Sequence, residues 1–393
     1  MEICKTELCT GCGMCMNVCK HGAISMHTDK HGFLYPKVDE KKCTLCNQCK
    51  KFCPSNNVTE PAPNLRTVYA GWNKNKAIRK ESTSGGIFSI MAKKIISEGG
   101  YVAGVRWVNG FRVKHDLISD ESQLSLFYGS KYIQSYTGNI YLRIKEKLNE
   151  GKSVLFSGTP CQNSALRSFL GKEYANLFQI DLVCHGVPSY DLFDRYIDEI
   201  CEGKSSSIKR IRFRHKAPFW DFCNVTIDFE DGTQYSVPTV DDPFFSLFNI
   251  GYSIRQSCGN CPYTSLERYS DITLADFWGF KPENFKMHNY EKGVSCILIN
   301  SEKGQAIFDA VSSAVVYEQS TVERAKKANK SLYAPYAISK ELSKLFWEDY
   351  EDGMPVSELC SKHVQNPFKK PSLLWLRILK YKYKWIFSKV VHK

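Results

Sequence analysis

From residue 67 onward the apolar positions switch between two periods. TVYAGW (67–72) reads as a strand, whereas GGIFSIMAKKIISEGG (85–100) spaces Ile87, Ile90, Met91 and Ile95 at helical intervals and stops at a glycine pair. YVAGVRWV and FRVKHDLIS read as strands around an Asn109-Gly110 turn, and NIYLRIKEKLNEG as an amphipathic helix closed by Gly151. SVLFSGTPCQNSALRSFLGK predicts a buried strand, a tight loop and a helix with Cys161 in its first turn. LFQIDLVCHGVPS repeats the scheme: a strand ends at Cys184, a loop follows, and Pro188 opens the helix SYDLFDRYIDEI. CNVTIDFEDGTQYSV is a hairpin with Asp231-Gly232 at its tip. This mixture predicts α/β character with added antiparallel strands, and in such open sheets ligands gather at the carboxyl ends of strands.

The first 60 residues follow a different logic. Cys9, Cys12, Cys15 and Cys19 are spaced C-x2-C-x2-C-x3-C, and Cys43, Cys46, Cys49 and Cys53 repeat the spacing with Pro54 after the last. This is the bacterial two-cluster ferredoxin pattern, in which the fourth cysteine of each run serves the other cluster. The expected ligand sets are therefore Cys9, Cys12, Cys15 and Cys53 for one 4Fe-4S cluster, and Cys43, Cys46, Cys49 and Cys19 for the other. Gly11 and Gly13 permit the short ligand loop of the first run. Lys20 stands where the pattern usually has proline, a position that steers the chain without ligating. Residues 22–42 between the runs read as a short hairpin. Zinc also takes cysteine pairs at x2 spacing, but two complete quartets favour iron–sulfur. SNNVTEPAPNLR, polar with two prolines, reads as a linker.

Composition sharpens this. Seventeen cysteines, with no apolar run at the N-terminus and no uninterrupted membrane-length segment, point to metal or redox work in a reducing, cytoplasmic setting. The formal charge of +12 counts every cysteine as neutral. A cubane with four thiolates carries about −2, so three clusters bring the surplus to roughly +6. No nucleic-acid motif accompanies the basic residues, which are expected to form a solvated surface.

A second group of thiols, Cys161, Cys184, Cys258 and Cys261, stands in GTPCQ, CHGVP and CGNCPY, all beside Gly or Pro in loops or at element ends. Their spacing admits a third cubane, zinc, or unrelated packing thiols. Cys223 and Cys296 read as core thiols, and Cys4, Cys201 and Cys360 have no partner pattern. In KESTSGGIF, Ser82, Thr83, Ser84, Gly85 and Gly86 lead into a helix, which suits either a phosphate or an ordinary helix cap. Lys131, in YGSKYIQS, is a candidate counter-charge for an anion or a plain surface lysine.

Together STSGGIF, GSKYIQS, LFSGTPCQNSAL, DLVCHGVPS, CGNCPY and DITLADFWG resemble the motifs of the family of coenzyme F420 hydrogenase/dehydrogenase beta subunits, from about Thr67 to about Glu318. The resemblance implies a flavoprotein holding FAD beside a cubane, and it favours a third 4Fe-4S cluster and the phosphate reading of residues 82–86. It suggests that Lys131 neutralises the flavin and that Asp276 orients the flavin or a neighbouring amide. Ala275 precedes Asp276 where the family tends to have glycine. His185, beside a proposed ligand, is a candidate proton donor or cluster-tuning group, with a hydrogen-bonded loop histidine as the plain alternative.

The expected fold class is α+β. A two-cluster ferredoxin-type domain (1–60) and a linker (61–66) precede a mixed α/β flavin- and cluster-binding body, divided into N-terminal (67–150) and C-terminal (151–320) family regions. A helical, basic extension (321–393) follows. The expected activity is an oxidoreductase in which single electrons pass through the clusters to FAD, which exchanges a hydride with an organic substrate or an F420-like carrier. The alternatives are a non-catalytic electron-transfer subunit and an accessory oxidoreductase of polysaccharide synthesis. Expected partners are a small-molecule substrate and a redox protein such as a ferredoxin or a dehydrogenase subunit, with self-association open and nucleic acid not expected. Residues 371–393 predict an apolar, basic helix that either docks on protein or touches the inner membrane face.

Overall fold

The computed structural model describes residues 1–58, 61, 65–217, 219–284, 287–364 and 379. In the N-terminal module, helices α1 (Met14–Val18) and α2 (Gln48–Lys51) each carry the third cysteine of a run. The antiparallel hairpin of β1 (Ile24–Thr28) and β2 (Leu34–Val38) lies between them, as the sequence predicts.

The body begins with β3 (Thr67–Asn73), α3 (Lys76–Glu81), α4 (Ile87–Ser97), β4 (Tyr101–Val108), β5 (Arg112–Ile118), β6 (Ser135–Tyr136) and α5 (Ile140–Asn149). It continues through β7 (Val154–Ser157), α6 (Pro160–Leu170), β8 (Leu177–Leu182) and α7 (Tyr190–Cys201). Then come β9 (Ile208–His215), β10 (Asn224–Phe229), β11 (Gln234–Pro238), α8 (Pro243–Ile250), β12 (Ile272–Asp276) and β13 (Ser295–Ile299). Last are α9 (Glu302–Val311), β14 (Val315–Ser320), α10 (Val322–Ala328), α11 (Lys340–Glu351) and α12 (Val356–His363).

Nine strands form one sheet in the order β14-β3-β13-β12-β8-β7-β4-β5-β6. Its centre, β12-β8-β7-β4, is parallel, and antiparallel β13 and β5 flank it. Strands from both sides of residue 150 interleave: β3 lies between β14 and β13, and β4 lies beside β7.

The strand period distributes side chains to two cores. Val102, Leu155 and Ile180 pack with Ile87, Met91 and Ile95 of α4 and Phe308 of α9. Ala103, Val154 and Phe156 face the other way, against Tyr141 and Ile144 of α5, Leu166 and Phe169 of α6, and Ile3, Cys15, Cys49 and Cys53 of the module. A third core joins the small antiparallel sheet β11-β10-β9 to α7, α8, α11 and α12.

Strand β8 stops at Leu182, two residues before the predicted end at Cys184, so Cys184 and His185 stand on the loop. Apart from residue 379, the predicted tail helix of residues 371–393 lies outside the described residues. Among the described residues no helix is long and apolar enough to cross a membrane.

Candidate metal centres and an anion site

The first cysteine run is pressed onto the body. Gly11 and Gly13 both have positive φ, 67° and 71°. A Cβ on Gly11 would strike Gln134 and Arg255, and one on Gly13 would strike Thr137. The carbonyls between them are claimed by body side chains: Tyr141 Oη donates to Cys12 O at 2.9 Å and Thr137 Oγ1 at 3.2 Å. Fully buried Arg255 donates from Nη1 to Cys9 O at 2.9 Å and from Nη2 to Leu34 O, and Ser257 Oγ adds a bond to Cys9 O at 3.0 Å.

Within the module the thiols sort as the ferredoxin pattern requires. Cys15 feels the charges of Cys12, Cys9 and Cys53, whereas Cys49 feels those of Cys19 and Cys43. We call the first quartet proximal, because it lies against the body, and the second distal. Burial raises the Cys12 thiol to about 12 and drives Cys15 well up, so neither ionises readily unless a metal replaces the proton. Among the described residues no three His, Cys, Asp or Glu side chains close in as they would around a single ion.

The second thiol group assembles from three places in the chain. Strand β7 delivers Cys161 to the first turn of α6, where Pro160 opens the helix and Gln162 Oε1 accepts from Thr159 N at 3.0 Å. Strand β8 delivers Cys184. Residues 187–189 then bind 253–255, through Arg255 N to Val187 O at 2.9 Å and a bridge between Pro188 and Ile254, which brings Cys258 over Gly186. As a result Cys184 feels Cys258, Cys161 and Cys261. Burial, then the neighbouring thiols, pushes Cys161 and Cys258 up to about 12, and Arg255 partly offsets both. Cys9 is lowered first by the neighbouring Cys4 thiol and then by the same arginine, and Cys12 feels Cys161, so the third group abuts the proximal quartet. Tyr263, whose pKa burial raises, also senses Cys12 and Cys161.

His185 sits among aromatic rings, edge-on to Phe248 at 4.9 Å and tilted against Tyr336 at 4.4 Å. Its Nε2 sits 3.2 Å from Phe248 O, which can only accept, so Nε2 carries hydrogen, and burial lowers its pKa.

The Ser82–Gly86 stretch is largely used up by internal bonds. Ser82 Oγ donates to Ile78 O, Ser84 Oγ to Val294 O, and Gly85 N to Ser295 Oγ; Thr83 Oγ1 accepts from Ser130 N. Lys131 joins this neighbourhood but donates to Leu126 O and Tyr128 O, and burial, then Arg210, lowers it to about 7.

Strand β9 carries a feature the sequence reading missed. Arg210, Arg212, Arg214 and Lys216 follow one another at every second position, the spacing of one strand face, although a bulge interrupts β9 opposite β10. Arg210 pairs with Glu81 at 2.6 Å, Arg212 with Asp228 at 2.8 Å, and Arg214 with Asp276; Lys216 Nζ donates to Arg79 O and Ser84 O. Three guanidiniums thus meet three carboxylates, beside Lys131 and Lys216, whose pKa burial lowers to about 7. Arg212 Nε and Arg214 Nη2 are buried without a hydrogen-bond partner among the described residues. An anion placed there would satisfy both N–H groups. The period-two cations in KRIRFRHK were the available signal.

Asp276 accepts from Trp220 Nε1 at 2.8 Å as well as from Arg214, and Trp220 stacks on Trp278 at 5.1 Å. Arg210 also lines a groove of about 540 Å3 with Arg106, Trp107, Asn109 and Lys209. Tyr132 lies beside Arg214, 5.5 Å from the Phe248 ring, so aromatic contacts lead from the cation row to His185 and the third thiol group.

Residues 151–325 match the family defined by the C terminus of the coenzyme F420 hydrogenase/dehydrogenase beta subunit, and residues 8–57 match the 4Fe-4S dicluster domain. One component of the F(420)H(2) dehydrogenase of Methanosarcina mazei is 24% identical over 326 residues, 79% of this chain and 84% of that protein. A ferredoxin-like protein in the nif region of Rhizobium leguminosarum bv. trifolii is 40% identical over 60 residues, 14% of this chain and 86% of that protein. A chain in the xenon-derivatized F420-reducing NiFe hydrogenase complex from Methanosarcina barkeri is 18% identical with a TM-score of 0.46, covering 78% of this chain and 97% of that one.

Proposed function

We propose, for a chain that belongs over residues 151–325 to the family of coenzyme F420 hydrogenase/dehydrogenase beta subunits and over residues 8–57 to the 4Fe-4S dicluster family, that it is an FAD-dependent iron–sulfur oxidoreductase. The family matches establish an iron–sulfur electron-transfer oxidoreductase related to a component of an F(420)H(2) dehydrogenase; FAD, a third cluster and the substrate are our reading. When bound, clusters supply one-electron steps and FAD couples them to hydride exchange with an organic substrate, for which an F420-type deazaflavin is the first candidate.

The observation that carries the reading is the contiguity of three thiol groups. The distal and proximal quartets share one packed core, and Cys12 of the proximal quartet senses Cys161 of the third group. In this reading Cys161, Cys184, Cys258 and Cys261 ligate the third 4Fe-4S cluster. Arg255 balances thiolate charge on both sides of the junction, because a buried guanidinium is the counter-ion nearest to Cys9, Cys161 and Cys258 together. Arg210, Arg212 and Arg214, with Lys131, bind the flavin diphosphate, for which the unpartnered N–H groups of Arg212 and Arg214 are suited. Asp276 holds Arg214 and Trp220 in place, and His185 keeps the loop of Cys184 against α8.

The distal quartet is the entry point. Cys46 is exposed, Leu45 is 67% exposed, and exposed Lys20, Lys41, Lys42 and Lys51 surround them in the chain. Such a rim suits an acidic one-electron carrier protein.

Anaerobic purification with iron and flavin analysis tests the whole. About twelve irons and one FAD per chain are expected. About eight irons without flavin overturn the enzyme reading and leave a pure electron-transfer protein.

A further inference from the structure

We propose that Cys4 is a fifth, non-ligating thiol of the proximal site, donating its one S–H to a ligand sulfur, that of Cys9 or Cys53, and thereby raising the reduction potential of the cluster they hold. The inference rests on the ligand assignment above. Nothing in the cysteine spacing calls for Cys4: it precedes the first run by five residues, and the matching place before the second run is Val38. The fold nevertheless puts it inside the site. Ile3, Cys4, Cys9, Cys12, Cys15 and Cys53 line one small cavity, which sets the Cys4 thiol beside the sulfurs of Cys53 and Cys9.

The placement is held from both ends. Ile3 is buried in the core shared by the cysteines, and its carbonyl accepts from Asn56 Nδ2 at 2.9 Å. Asn56 is itself tied to the ligand loop, since its backbone N–H donates to Cys53 O at 3.1 Å. On the other side Cys9 N donates to Lys5 O at 3.1 Å, so the turn at Thr6–Leu8 returns the chain directly to the first ligand.

A cubane offers four iron sites, and the ferredoxin spacing fills them with Cys9, Cys12, Cys15 and Cys53. The fifth thiol has no iron left to bind and keeps its hydrogen, which makes it a donor to sulfur. The reduced cluster carries one more negative charge than the oxidised one. A donor aimed at its ligand sulfurs therefore stabilises the reduced form more, which raises the potential. No cysteine occupies the corresponding place in the second run, so this contribution is absent from the distal cluster.

The test is a potentiometric EPR titration of the full chain, purified anaerobically, as wild type, Cys4→Ala and Cys4→Ser. The proximal signal is identified as the one lost in Cys12→Ser. We expect unchanged iron content in both Cys4 variants, a more negative proximal midpoint in Cys4→Ala, a midpoint near wild type in Cys4→Ser, where a hydroxyl donor is retained, and an unmoved distal midpoint throughout. An unshifted proximal midpoint in Cys4→Ala overturns the proposal, as does loss of iron, which would make Cys4 a ligand. The underlying assignment fails separately, if the wild type itself holds no dicluster iron.

Discussion

The two cysteine runs of the module have the same internal spacing and end in different surroundings. In the first run Cys9 and Cys15 are buried, and Tyr141, Thr137, Ser257 and Arg255 hold its carbonyls against the body. In the second run Cys49 and Cys53 are buried and Ser168 Oγ of the body donates to Phe52 O at 2.6 Å, but residues 44–48 are exposed, with Cys46 and Leu45 at the surface. Equal ligand spacing thus specifies equal cluster chemistry, while the more extensive docking of the first run suits one site to an interior relay and the other to a port in the proposed route. Potential, solvent access and partner access follow from that asymmetry rather than from the ligands.

The sharpest way to break the comparison is to remove one site. Cys12→Ser should abolish electron delivery from a one-electron donor to the organic acceptor while the distal EPR signal persists; retention of turnover would show that the proximal site is not on the route. Next, Arg255→Met should weaken the docking of the first run, since each buried acceptor left without a donor costs about 1–3 kcal/mol. A lower thermal midpoint and a broadened proximal signal, with the distal one intact, are expected. An unchanged midpoint would remove Arg255 from the docking argument.

Acid should act on the same side. His115 is buried beneath the docking face, stacked on Phe156, which in turn contacts Tyr141. Burial lowers its pKa from 6.5 to about 4, because the charged ring would lose its water. The unfolded chain therefore binds the proton first as pH falls. Stability is fully present above about 6.5 and declines by about 3 kcal/mol as pH approaches 4. Thermal midpoints measured from pH 7 to pH 4 should fall in wild type and fall less in His115→Phe; parallel curves would assign the acid sensitivity elsewhere. The smallest effect on stability belongs to the port. Lys42→Glu with Lys51→Glu should change stability by no more than about 0.5 kcal/mol. The pair should slow electron uptake from an acidic donor and flatten its dependence on salt. Uptake that is unaffected at low salt would move the entry point away from this rim.

Reading along the chain succeeds where the information is local. The hairpin of residues 24–38, helix α4, the β4–β5 pair and the first turn of α6 all follow from period and turn residues. It falters where distant segments decide. Ser82 and Ser84 look like free donors in sequence, yet β13 residues and the preceding helix take up both the loop's hydroxyls and its Gly85 amide. Conversely, Arg255 has no pattern of its own, and its importance comes from the bridge at residues 188 and 254 that turns it toward the module.

The sequence by itself determined the two ligand quartets of the module. Their thiols lie within short loops whose geometry is set by residue spacing and by residues at positive φ, Gly11 and Gly13 in the first run and Leu45 and Asn47 in the second. Tertiary structure alone decided that Cys161, Cys184, Cys258 and Cys261 come together, that Cys4 joins the proximal site, and that the proximal quartet is the more shielded. Those outcomes depend on the parallel order of β7 and β8 and on buried polar contacts between segments more than a hundred residues apart, which no local spacing encodes.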